Sequence, residues 1–148
     1  MCSITPIDSN PHYTIVHEKD RLDFIPNNFS IFLLWFEDVI VNIAEKQLGN
    51  YTGGYWEFAH TSNNAPFMFL KTSDELVTLS SADGCITRQL PTVLAGLAIT
   101  SQAYQALLFK HRDSISEAHC DLYYHISEEG RRLAEAMEFS KEYFDLTN

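Results

Sequence analysis

The sequence predicts a single α+β domain, an antiparallel sheet of about four strands packed with three main helices. Three observations predict it. Apolar residues repeat at helical spacing before Leu48 and again after Pro91. Between those stretches, from about residue 55 to 90, the period shortens to that of strands, and turn residues interrupt it at short intervals. The 148 residues, 45% apolar and 20% charged, suffice for one core that needs no disulfide or metal to hold it.

Residues 1–16 carry Asp8, Ser9, Asn10, Pro6 and Pro11. They read as a loose N-terminal arm with a short strand at Tyr13 to Val16, and the domain proper is expected over 17–148. Pro26 disfavours helix at Ile25, and Asn27 or Asn28 can cap a helix that starts just after them. The first helix is expected from about Phe29 to Leu48, with Phe32, Trp35, Phe36, Val39, Ile40 and Ile43 on one stripe and Gly49 at its end.

Tyr55 to His60 reads as a strand, Ser62-Asn63-Asn64-Ala65 as a turn, and Phe67 to Leu70 as the next strand. Leu76 to Leu79 and Cys85 to Arg88 flank Asp83-Gly84, a strong hairpin signal. Short links between consecutive strands imply an antiparallel meander. Period two places Trp56 and Phe58 on one face, against helix, with Tyr55 and Glu57 opposite. Pro91 suits the first turn of a second helix, to about Phe109, apolar around most of its circumference and therefore central. A third helix, from Ser114 or Ser116 to about residue 138, repeats Ile115, Leu122, Ile126, Leu133 and Met137, and Gly130 can divide it.

Ten basic residues stand against twenty acidic ones, a net charge of −10. That balance excludes a general nucleic-acid binder, which needs cations to displace counterions, and an anionic membrane surface. Asp113 to Asn148 holds nine acids and three basic residues, and reads as a solvated helix face or as an imitation of a row of phosphates. Cys2, Cys85 and Cys120 form no CxxC pair, and Met1 to Asn10 has no signal-peptide pattern, so a cytoplasmic protein is expected. The apolar run near Phe29 is interrupted by Glu37, Asp38 and Asn42 and is too polar to span a bilayer.

No zinc-hydrolase, phosphate-loop or nucleophile-elbow motif occurs. The densest chemistry lies at His119-Cys120-Asp121-Leu122-Tyr123-Tyr124-His125. Asp121 and His125 share a helix face, but two ligands do not make a zinc site. His119 and Cys120 point about 100° apart on a helix, so they cannot form a nucleophile pair. Gly53-Gly54 precedes a strand, where a phosphate cradle needs a helix N-terminus. Trp56, Phe58, Phe67 and Phe69 lack the basic frame of an RNA-stacking sheet and read as core. No catalytic residue, cofactor or metal is therefore expected.

Tyr51-Thr52-Gly53-Gly54-Tyr55-Trp56-Glu57-Phe58, then Ser62-Asn63 and Phe67-Met68-Phe69, resembles the signature of the ArdB/KlcA antirestriction family. Upstream, Arg21-Leu22-Asp23-Phe24-Ile25-Pro26-Asn27-Asn28-Phe29 is similar to that family's R-x-x-F-L-P-x-x-F run. The likeness covers roughly residues 17 to 110. Asn63-Asn64-Ala65-Pro66 replaces the family's N-G-G turn, and a strand-like Cys85 to Gln89 comes after Ser81-Ala82-Asp83-Gly84.

The resemblance implies a small non-catalytic α+β protein of a mobile element that protects incoming DNA from type I restriction–modification. Its implied partner is a component of the host restriction system or another host protein. No catalytic residues are established for the family, so none carries over. The alternatives are a small enzyme using His119 to His125 and a regulatory scaffold. Loop ends on a rigid sheet are where binding groups usually sit. The expected partner contact is therefore Gly53, Gly54, Ser62, Asn63 and Asn64, with Glu57.

Overall fold

The computed structural model describes residues 12–29 and 35–147. Cys2, Pro6, Pro11, Phe32 and the body of the expected arm lie outside the described residues. The fold is α+β, a single domain. Its elements run β1 (Tyr13–Ile15), a 3-10 turn (Glu18–Asp20), α1 (Arg21–Phe29), α2 (Phe36–Gln47), β2 (Trp56–Thr61), β3 (Pro66–Leu70), β4 (Val77–Ser80), β5 (Thr87–Leu90), α3 (Thr92–Lys110), α4 (Glu117–Ala136) and α5 (Ser140–Thr147).

The strands divide differently from the expected meander. They form a three-stranded antiparallel sheet, β1-β2-β3, and a separate hairpin, β4-β5. The outer edge of β3 is already occupied, which explains the split. Thr100 Oγ1 on α3 accepts the Met68 N–H at 3.0 Å and donates to the Met68 carbonyl at 3.3 Å. Thr92 Oγ1 donates to the Leu70 carbonyl at 2.6 Å. A helix thus satisfies the polar groups that a fourth strand would have paired with. Gly96 permits this approach: a Cβ there would lie 2.7 Å from Phe69 Cα and against the Met68 carbonyl.

The hairpin tip also departs from expectation. Asp83 Oδ1 accepts the Cys85 N–H at 3.0 Å, and Ser81 Oγ accepts the Ile86 N–H at 3.1 Å. Those donors serve the turn, so β5 starts at Thr87 rather than Cys85.

Arg21–Phe29 is helical despite Pro26. Pro26 leaves the Leu22 carbonyl without its usual donor, but Leu22 is 91% exposed and water can serve it. Burial of Phe24, Ile25 and Phe29 drives the turn. Phe29 then stacks on Phe36 at 4.0 Å and packs on Tyr104 of α3 at 5.6 Å. Of the first helix expected from Phe29 to Leu48, the described residues show α2 over Phe36–Gln47; α1, ending at Phe29, is an additional helix before it.

α3 is buried around most of its circumference, as its composition implies. It is long and apolar enough to cross a membrane by composition, yet 67% of that stretch is buried inside the fold, the mark of a core helix. Gly130 does not divide α4. A Cβ at Gly130 would overlap the Tyr143 hydroxyl, so this glycine admits α5 against α4. The chain turns between them at Glu138, with φ +67°, and Tyr143 and Leu146 of α5 join the core.

Candidate functional site

The expected contact residues lie at the two ends of β2. Six residues of strand separate the ends by roughly 17–20 Å, so Gly53-Gly54 and Ser62-Asn63-Asn64 do not form one continuous patch.

At the first end the chain leaves α2 through an isolated bridge between Leu48 and Leu79 and turns at Asn50, with φ +59°. Gly53 and Gly54 have φ of +105° and +149°, a region unfavourable for side chains with a Cβ. Both are exposed, and Tyr55 beside them is 50% exposed. Trp56 and Phe58 are buried, as expected, and Phe58 stacks on Phe24 of α1 at 4.7 Å. Trp56 Nε1 donates to the Tyr51 hydroxyl at 3.1 Å.

Glu57 is engaged within the fold. Its Oε1 lies 3.3 Å from Arg21 Nη1, and Arg21 Nη2 donates to the Trp56 carbonyl at 2.8 Å. The same guanidinium sits 4.6 Å from the Tyr55 ring and 4.3 Å from the Phe58 ring. The Arg21 and Tyr51–Phe58 segments, distant in sequence, thus meet through one arginine. A shallow groove beside it is lined by Ile15, His17, Tyr55, Glu57 and Lys71.

At the second end the turn is bound to α4. Thr61 Oγ1 donates to Glu129 Oε1 at 2.5 Å, and Asn63 Nδ2 donates to Glu129 Oε2 at 3.0 Å. Arg132 closes on the same carboxylate with Nε at 2.8 Å and Nη2 at 2.9 Å, and Nη2 also donates to Ser62 Oγ at 2.8 Å. His125 Nε2 donates to the Asn63 carbonyl at 2.8 Å. Glu129 is only 4% exposed. The bonds from Arg132 hold its carboxyl at about 2, helped by Thr61 and Asn63 and opposed by burial. Asn64 takes φ +69°, and its side chain makes no hydrogen bond among the described residues.

The histidine cluster is dispersed in space. His119 Nδ1 accepts the Ser116 N–H at 2.9 Å as part of the cap that starts α4, whereas His125 reaches the β2–β3 turn. Among the described residues no group of three or more His, Cys, Asp or Glu side chains is placed to hold a metal. Sequence reading missed Glu129, Arg132 and Arg21 as organising residues. The spacing of Glu129 and Arg132, three apart on one helix, was the available signal for the first pair.

This architecture is that of a small α+β domain whose loop ends are locked by charge-assisted side-chain bonds. The chain belongs to the antirestriction protein family, whose model matches residues 49–137 and so takes in both ends of β2. It is 27% identical over 99 residues to the putative antirestriction protein YubI of Escherichia coli K12, covering 67% of this chain and 69% of that protein. The solved KlcA and ArdB structure superposes with a TM-score of 0.65 at 21% identity, over 92% of this chain and 97% of that one, and shares its fold. KlcA and ArdB show antirestriction activity against type I DNA restriction systems in vivo but not in vitro.

Proposed function

We propose that this chain protects incoming DNA from a host type I restriction–modification system, as the product of a mobile element. It acts in the cytoplasm through contacts with proteins and without catalysis. The family match over residues 49–137 carries the reading. Activity in vivo but not in vitro, as KlcA and ArdB display, is what a protein needing a further cellular component would show. The net charge of −10 disfavours a direct grip on DNA. The proposed contact is the pair of exposed loop ends of β2: Gly53 and Gly54 with Glu57, and Ser62, Asn63 and Asn64.

The test is a plating assay. Unmodified phage is plated on a host with a type I system, with and without this chain, and on the same host lacking the system. The expected result is plating restored toward the non-restricting level. Unchanged restriction in cells that contain the folded, soluble chain would overturn the proposal.

A further inference from the structure

A cleft of about 300 Å³ opens where α3, α4 and α5 meet the β4-β5 hairpin. That volume is at the lower end for small-molecule sites. Its walls include Ser101, Gln102 and Gln105 from α3, Ser127 and Arg131 from α4, and Tyr143 from α5. The polar groups are unevenly satisfied. Ser101 and Ser127 bond each other at 3.0 Å. Two carboxylates also line the cleft, but each is already engaged. Asp145 lies 3.1 Å from Arg88 and 3.4 Å from Lys141, and Asp83 accepts the Ser81 hydroxyl at 2.6 Å and the Cys85 N–H at 3.0 Å.

Arg131 is different. Among the described residues no carboxylate pairs with it and no acceptor receives its donors. Tyr143 is 2% exposed, yet its hydroxyl, wedged beside Gly130, has no hydrogen-bond partner among the described residues. That hydroxyl is not fully enclosed, and Tyr143 lines the cleft, so a ligand oxygen can reach it. Arg131 and Tyr143 are electrostatically in reach of each other. Together they offer the cleft an exposed cation and a hydroxyl donor, and the Gln102 and Gln105 amides line the same cleft.

We propose that this cleft binds a small molecule carrying an oxyanion group, a carboxylate or a phosphate. Arg131 supplies the charge, Tyr143 a hydrogen bond to an anionic oxygen, and the glutamine amides the contacts to the remainder of the ligand. Arg131 forms charge-assisted bonds with either group, and the Tyr143 hydroxyl gains the partner it lacks. The site is separate from both ends of β2, so a ligand here and a protein there do not compete for the same residues.

The experiment is a titration of the whole chain, at constant ionic strength, with inorganic phosphate and with succinate, and with uncharged succinamide as control. Backbone amide shifts of Ser127, Arg131 and Tyr143 are followed by NMR. The expected result is saturation by at least one anion with a dissociation constant of about 1 mM or tighter, and none by succinamide. Saturation by phosphate or by succinate identifies which oxyanion the site takes. Arg131→Gln should weaken binding at least about tenfold. Tyr143→Phe should weaken it severalfold while leaving thermal stability about equal, because the hydroxyl makes no hydrogen bond within the fold. Saturation by neither anion, equal shifts with succinamide, or undiminished binding by folded Arg131→Gln protein would each overturn the proposal.

Discussion

Asn63 Nδ2 donates to Glu129 Oε2 at 3.0 Å, joining the β2–β3 turn to a carboxylate on α4 sixty-six positions away. Thr61 and Arg132 hold the same carboxylate, so one side chain joins the sheet to the C-terminal helices. An exposed turn that reads from sequence as a free contact loop is thus fixed by long-range bonds. Asn63→Ala deletes a hydrogen bond to a charged group, a loss of about 1.5–3 kcal/mol. Urea denaturation should show a lower midpoint with an unchanged slope.

Glu129→Gln should cost about 2–3 kcal/mol near neutral pH, because it leaves Arg132 without its anion. The loss should shrink in acid. Glu129 titrates at about 2 in the fold against 4.5 for the free side chain, so the unfolded chain binds more protons between those values. Its contribution is fully present above about 4.5 and fades as pH falls toward about 2. Urea midpoints across that range should converge for the two proteins. A constant difference would contradict the assignment.

Gly96→Ala should be strongly destabilising. The new methyl meets the backbone of Met68 and Phe69, and neither can yield without shifting β3. Overpacking of this kind typically costs about 1–3 kcal/mol or more. A thermal midpoint equal to the parent's would mean that α3 does not lie this close to the sheet.

The parts of the fold legible in sequence were those set by local chemistry. Pro91 marks the start of α3, Ser116 caps α4, and Asp83-Gly84 lies at the hairpin tip. The separation of the two sheets was not legible. It depends on Thr100, a helix residue with an ordinary side chain, meeting the Met68 backbone thirty-two positions away. α5 was overlooked although Phe139, Tyr143 and Leu146 carry helical spacing. The candidate site was half legible. Family-like residues drew attention to both ends of β2, but nothing local showed that Glu57 answers Arg21 or that Asn63 answers Glu129.

Trp56→Ala should cost about 3–5 kcal/mol. The indole is 9% exposed, packs edge-on against Tyr51 at 6.1 Å and donates to its hydroxyl. Calorimetry checks this, and a parent-like melting temperature would reassign Trp56 from core to surface.

The contact surface needs variants that change the surface and spare the fold. Alanine at both Asn63 and Asn64 is unsuitable, since Asn63 holds Glu129 and Asn64 occupies φ +69°, where alanine is strained. Asn64→Gly keeps that backbone and removes only an exposed side chain that bonds to nothing described. At the other end, nothing lies within 4 Å of a Cβ placed on Gly53. Gly53 has φ +105°, beyond the left-handed helical region that asparagine tolerates, so Gly53→Asn adds bulk outward at about 1–3 kcal/mol of backbone strain. Asn64→Gly should melt within a few degrees of the parent protein, and Gly53→Asn several degrees lower while still folded at the assay temperature. If the ends of β2 are the partner contact, both should lose protection in the plating assay. Loss in Gly53→Asn alone would restrict the contact to the glycine end, with Asn64 outside it. Full protection by both folded variants would remove the two loop ends from the contact.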